Sequence, residues 1–319
     1  MSLDRIRLAS LHDKVISAKQ AAEFIKDGMT VGMSGFTRAG EAKAVPLALV
    51  EQAHANPLKI TLITGASLGN DLDKKLTEAG VLARRLPFQV DNTLRKAINK
   101  GEVMFIDQHL SETVEQMRNL QLKKPDVAII EAVAITEDGG IIPTTSVGNS
   151  ASFAIFAEKV IVEINTNLSP AFEGLHDIYI PTYRPTRQAI PLTQVDERIG
   201  THAINIDPSK IVGIVFNNEL HDSPSTVTAP DDETQGIANH LIAFFEKEVA
   251  EGRLPKNLGP LQAGIGSIAN AVLTGLKDSN FEDLIMYSEV LQDCTFELID
   301  AGKMKFASGS SITLSAKYG

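Results

Sequence analysis

No tryptophan occurs in the 319 residues, and aromatic side chains make up only 5%. A surface that grips single-stranded nucleic acid by stacking bases on rings has little to work with here. Cysteine is nearly absent as well. Cys294 stands alone, which excludes an internal disulfide and fits a reducing compartment, the cytoplasm. No histidine lies near it in sequence, so it reads as a buried structural thiol. No apolar stretch approaches the roughly 20 residues of a membrane helix. The segment 1–15 intersperses Asp4, Arg5, Arg7, His12, Asp13 and Lys14 among short apolar pieces, unlike the apolar region of a signal peptide. The seven histidines show no H-x-x-H or H-E-x-x-H spacing, so no metal site is expected. Neither Ser34 nor Ser146 sits in a G-x-S-x-G elbow, which disfavours a serine hydrolase. Positive charge is in deficit, 30 Lys and Arg against 40 Asp and Glu. A net charge of −10 repels DNA, although one basic pocket is enough to hold a phosphorylated cofactor.

What is present is ordinary globular composition, 43% hydrophobic and 22% charged, over a length that suits two domains. Ser17 opens a helix expected to run to Lys26 before Gly28. Strands are expected at 30–33, 59–65, 103–107, 127–130, 159–164 and 210–216, with helices at 45–55 and 112–122 between them. This alternation predicts an α/β domain with a mainly parallel sheet. Glu137-Asp138-Gly139-Gly140 between two apolar runs predicts a hairpin. A proline-punctuated connection covers 165–198, long enough to be functional or a dimer arm. Asp222-Ser223-Pro224-Ser225 and Ala229-Pro230-Asp231-Asp232 mark an interdomain linker within 217–233. A one-faced helix over 235–251 follows, then a glycine turn, a helix near 268–276, a strand at 284–289, a helix at 292–301 and a strand at 304–306.

Glu289 ends the apolar run before Val290-Leu291-Gln292-Asp293. The turn Gly264-Ile265-Gly266 opens a helix 25 residues earlier, about one helix plus a return strand. A G-x-G alone serves many turns, and a lone strand-end glutamate is more often simply solvated. Their pairing at one α/β unit's spacing singles them out. It sets bare backbone N–H groups beside a carboxylate at the carboxyl end of a parallel strand. Such a carboxylate can attack an acyl group while the donors hold the oxyanion.

Longer motifs carry a resemblance. Leu254-Pro255-Lys256-Asn257, Leu261 through Leu273 and Tyr287 through Asp293 are similar to the acetyl-CoA hydrolase/transferase family, class I CoA-transferases. Ser34-Gly35-Phe36-Thr37 with Gly40, Lys43 and Val45-Pro46 resembles that family's first glycine turn. The runs 129–136 and 160–165 and Arg198-Ile199-Gly200 agree with it too. The resemblance extends from about Arg5 to Ile312. It implies two CoA-transferase-like α/β domains with mainly parallel sheets, an N-terminal one over 1–222 and a partial, incomplete C-terminal one over 223–319. It also implies that Glu289 is the catalytic glutamate forming a glutamyl-CoA thioester, and that Gly264, Ile265, Gly266, Ser267 and Ile268 contact coenzyme A.

The implied activity is acyl-CoA:carboxylate CoA transfer, with acetyl-CoA and a small acid such as acetate, succinate or propionate. Hydrolysis of acetyl-CoA would be a side activity. Coenzyme A and acyl-CoA are substrates here, with no permanently bound cofactor. A homodimer without nucleic-acid or membrane partners is expected. Family members continue past Gly319 with a second glycine-rich motif. The alternative reading is therefore a truncated, inactive fragment or a subunit needing a complementing chain.

Overall fold

The computed structural model describes residues 3–225 and 230–317. Ala229 of the linker motif, and Tyr318 and Gly319, lie outside them. The chain divides into two compact units, Met1–Ile190 with Ile199–Ser223, and Pro191–Arg198 with Pro224–Gly319. Among the described residues no helix is long and apolar enough to cross a membrane.

The first unit alternates helices and strands: α1 (Ala18–Ala22), β1 (Thr30–Met33), α2 (Ala44–Ala55), β2 (Ile60–Thr64), α3 (Leu72–Glu78), β3 (Leu82–Leu86), α4 (Asn92–Asn99), β4 (Met104–Phe105) and α5 (Leu110–Arg118). Then come β5 (Val127–Ile135), β6 (Ile141–Pro143), α6 (Ser150–Phe156), β7 (Lys159–Asn165) and β8 (Ile211–Asn217). The sheet order is β4-β3-β2-β1-β5-β7-β8, all parallel, with β6 closing the expected antiparallel hairpin on β5. From β1 the chain steps outward to β4, then crosses back to β5 on the other side of β1. Strand order therefore reverses between β1 and β5, the place where open parallel sheets bind ligands.

Every residue of β5 is buried, as its near-continuous run of Val, Ala and Ile requires of a strand covered on both faces. Period-two alternation sorts the strands' side chains into two cores. Val31, Met33, Val127 and Ile129 pack with Leu49, Leu72 and Leu94 of α2, α3 and α4. Ala128, Ile130, Val160 and Val162 pack with Met117 and Phe153 of α5 and α6. The segment before α1 joins the second core, with Ile6 bridging to Ile135 and Val15 to Ile214.

Several elements depart from expectation: β5 runs on to Ile135 past the expected 130, β4 covers only Met104–Phe105 of 103–107, and α5 spans Leu110–Arg118 where 112–122 was expected. α1 keeps the Ser17 capping box but ends at Ala22, short of Lys26, in turns closed by Phe24 N–H to Ala21 O and Ile25 N–H to Ala22 O. β3 has no apolar signature because Arg84-Arg85 interrupts it. Arg85 is nevertheless fully buried, paired with Asp73 at 2.8 Å and donating to the Leu86 carbonyl at 2.6 Å.

The second unit comprises α7 (Asp232–Ala250), β9 (Pro260–Leu261), α8 (Ser267–Asp278), β10 (Leu284–Tyr287), β11 (Val290–Leu291), α9 (Asp293–Asp300), β12 (Met304–Ser308) and β13 (Ser311–Ile312). Asp231 caps α7 through Thr234. Parallel strands β12-β10-β9 form one sheet, and β11 pairs with β13. α7 approaches α8 at Gly275, where a Cβ would meet Ile242 Cδ1 at 2.5 Å. Leu276, Leu284, Met286 and Leu298 form a core of their own. Cys294 lies buried in it, and burial pushes its thiol up to about 11, as an inert structural cysteine requires.

Candidate active site

Glu289 stands just outside β10, in the two-residue link to β11, and its side chain is exposed. The strand was expected to reach it. It stops at Tyr287 because the next residues bond sideways. Ser288 N–H still donates to Ser308 O at 2.8 Å, but Ser288 Oγ takes over the other edge. It accepts from Ala263 N–H at 3.3 Å and donates to Ala263 O at 3.1 Å. Glu289 O accepts from Ser310 N–H at 2.8 Å and Ser311 N–H at 3.3 Å. The peptide carrying Glu289 is thus tied to β13 on one side and the glycine loop on the other.

That loop ends β9, whose Leu261 pairs with Met286 of β10. Gly266 is the N-cap of α8 at φ +130°, a conformation open to glycine alone. Gly264 has no such φ, and a Cβ there would meet nothing within 4 Å. Nothing in the described fold requires its missing side chain. Ser267 and Ile268 form the first turn of α8, which has no side-chain cap. Ile265, Ile268 and Tyr287 are 62%, 49% and 51% exposed and give the site an apolar rim. The structure therefore brings Glu289 and the loop 264–268 to the carboxyl ends of β10 and β9 in the second unit's sheet.

The first unit has its own constellation at the β1/β5 reversal. Lys43, fully buried, donates to Glu131 Oε1 at 2.6 Å and Glu41 O at 2.7 Å and forms an ion pair with Asp222 Oδ1 at 2.7 Å. Burial opposes its charge, but Glu131, Asp222 and Glu41 overcome that and raise its pKa above the ordinary lysine value. Glu131 also accepts from Thr144 Oγ1 and Asn165 Nδ2. Asp222 accepts from Gly40 N–H and Thr145 Oγ1. Glu163 caps the start of α2 through the N–H groups of Lys43, Ala44 and Val45. Burial pushes the Glu41 carboxyl up to about 7 and that of Glu131 up to about 8, and raises Glu163 too.

A family model of the acetyl-CoA hydrolase/transferase N-terminal domain matches residues 2–216. The chain belongs to the acetyl-CoA hydrolase/transferase family. It is 45% identical over 311 residues to a succinyl-CoA:acetate CoA-transferase of Clostridium kluyveri, covering 97% of this chain and 58% of that protein. An acetyl-CoA hydrolase of Schizosaccharomyces pombe is 44% identical over 323 residues, covering 98% of this chain and 61% of the relative. The chain thus spans about three fifths of the length of these curated relatives. Among solved structures, RipA from Yersinia pestis superposes with a TM-score of 0.67 at 17% identity, over 96% of this chain and 69% of that one. A 4-hydroxybutyrate CoA-transferase from Porphyromonas gingivalis gives 0.61 at 17%, over 97% and 64%. These establish a shared fold.

Within this acetyl-CoA hydrolase/transferase chain, the turn 35–40 is packed. Phe36 is buried, and a Cβ on Gly40 would meet Ser146 Oγ at 2.5 Å. Ser34 Oγ accepts from Glu131 N–H, and Ser146 Oγ donates to Ala39 O, so both serines are structural. His109 is the N-cap residue of α5 without a side-chain cap bond. Sequence reasoning missed the Lys43 cluster as a unit. Its signal lay in Ile-Ile-Glu131-Ala-Val and Ile-Val-Glu163-Ile, where a carboxylate interrupts a run destined for full burial. Asp222 carried no signal, because its stretch has linker composition.

Proposed function

We propose that this acetyl-CoA hydrolase/transferase chain moves coenzyme A between an acyl-CoA and a free carboxylate, with Glu289 as nucleophile. The observation that carries the reading is Gly264, a glycine that no φ and no neighbour demands, beside an exposed glutamate. A backbone bared to that degree suits close approach of a ligand. The relatives named for CoA transfer and acetyl-CoA hydrolysis support the same chemistry.

The Glu289 γ-carboxylate attacks the thioester carbonyl. Collapse of the tetrahedral adduct breaks the C–S bond and leaves an acyl-glutamyl anhydride and CoA thiolate. The thiolate attacks the glutamyl carbonyl, releasing the first acid as carboxylate and forming glutamyl-CoA. An incoming carboxylate attacks that thioester, and the thiolate released then takes the new acyl group, regenerating Glu289. Each step trades one activated carboxyl for another, and the kinetics are ping-pong. N–H groups of the loop 264–268 stabilise the oxyanions, and its apolar rim takes the pantetheine arm. Water in place of the second acid gives hydrolysis. Acetate, succinate and propionate are the acids proposed, residues 223–319 are proposed as a partial C-terminal CoA-transferase domain, and the working form is proposed as a cytoplasmic homodimer. The sole thiol Cys294 supports the compartment, and the long connection over 165–198 supports the dimer.

The test is incubation with acetyl-CoA, then mass analysis of the Glu289 peptide and borohydride inactivation. A Glu289 thioester is expected, with exchange of labelled acetate into acetyl-CoA, and both vanish in Glu289→Ala. Persistence in that variant removes the nucleophile. Exchange only after adding a complementing chain would assign this span a subunit role.

A further inference from the structure

Gln292 occupies the N-cap of α9, where a side chain usually serves the helix's own free N–H groups, yet it makes no cap bond. The side chain is buried and reaches back across the carboxyl ends of β10 and β9, and Nε2 donates to the Gly264 carbonyl at 3.2 Å. Only the amide NH2 can serve a carbonyl acceptor, so the amide's orientation is fixed by chemistry. The bond lies three residues after Glu289. It works beside the Ser288–Ala263 pair, extending the β9–β10 contact by side chains where the backbone ladder has stopped.

A trans peptide is planar, with its C=O and the following N–H pointing in opposite directions. Anchoring the Gly264 carbonyl therefore also fixes the direction of the Ile265 N–H, which has no acceptor among the described residues. Gly264, lacking a Cβ, would otherwise let this plane rotate freely.

We propose that Gln292 is a positioning residue: by holding the Gly264 carbonyl it orients the Ile265 N–H as an oxyanion donor for the acyl group attacked by Glu289. This rests on the CoA-transfer reading above. The chemical class stabilised is the tetrahedral oxyanion formed from a thioester or anhydride carbonyl. Gln292 itself touches no reacting atom.

The experiment is rapid-quench acylation of the whole chain by acetyl-CoA, read as the Glu289 adduct by mass, for the parent, Gln292→Ala and Gln292→Glu. In Gln292→Ala the rate at saturating acetyl-CoA is expected to fall about 100-fold, the scale of a misplaced reacting group. The half-saturating concentration should stay within about threefold, because substrate binding and oxyanion stabilisation are separate demands. In Gln292→Glu the ionised carboxylate cannot donate and repels the carbonyl, so near pH 8 it should be as slow as Gln292→Ala. Its rate relative to the parent at each pH should climb as pH falls toward 5, because the protonated acid donates again. A merely structural role would leave that ratio flat. An undiminished rate in Gln292→Ala, a loss confined to half-saturation, or a flat ratio in Gln292→Glu overturns the proposal. No adduct in the parent overturns the CoA-transfer reading, and this inference with it.

Discussion

Glu41 is the least satisfied ionisable side chain of the Lys43 cluster. Its Oε1 accepts from Asn70 Nδ2 at 2.8 Å, whereas Oε2, fully buried, has no partner. Among the described residues Lys43 is the one cation facing Glu41, Glu131 and Asp222, and Glu163 lies against its backbone. A carboxyl titrating near 7 in the folded chain against 4.5 when exposed binds its proton more tightly in the fold. Stability therefore falls as pH rises from about 4.5 to about 7, and this contribution levels off above. Glu41→Gln keeps the shape and cannot ionise. Urea unfolding between pH 4.5 and 8 should show a flatter pH dependence for the variant, the difference accumulating to roughly 3 kcal/mol. Parallel curves would mean that Glu41 does not hold the proton.

At the scale of elements, the two glycines of the loop before α8 separate function from folding. Gly266 needs its φ of +130°, so Gly266→Ala should cost about 1–3 kcal/mol of stability. Gly264→Ala meets open space and an allowed conformation. It should leave stability unchanged or raise it by about 0.4–1 kcal/mol, and yet lose acetyl-CoA exchange. Thermal melts beside the exchange assay check both, and an active Gly264→Ala would remove the main support for ligand approach there. The loop and Glu289 were legible in the sequence because turn chemistry and strand spacing are local. So were β7 and the first half of β5, whose β-branched runs are local, although the continuation of β5 to Ile135 was not. β3 was illegible, since Arg84-Arg85 declares a surface and only Asp73, brought near by folding, makes burial tolerable. Ser288 and Gln292 were illegible for a related reason: a short polar residue shows its partner only once β9 and β10 are side by side.

At the scale of the molecule, each unit carries its own core, and Cys294 reports on one of them. Leu298 is fully buried beside it, so Leu298→Ala should cost about 2–5 kcal/mol within the second unit. Cys294 should then become reactive to thiol reagents at lower urea, while amide protection in β5 holds to the parent's concentration. An equal shift in β5 would show that the two cores unfold together. The segment of Ile6 to Ile16 has a different consequence. Ile6 pairs with Ile135, and Ile16 N–H donates to Ile214 O at 2.9 Å. A ribosome adding about 5–20 residues per second releases this segment roughly 10–40 s before residue 214 exists. Ile6 and Leu11, both buried in the finished fold, wait through that interval as naked hydrophobic bait. Nascent-chain chaperones that read short apolar stretches can hold this one until β8 arrives.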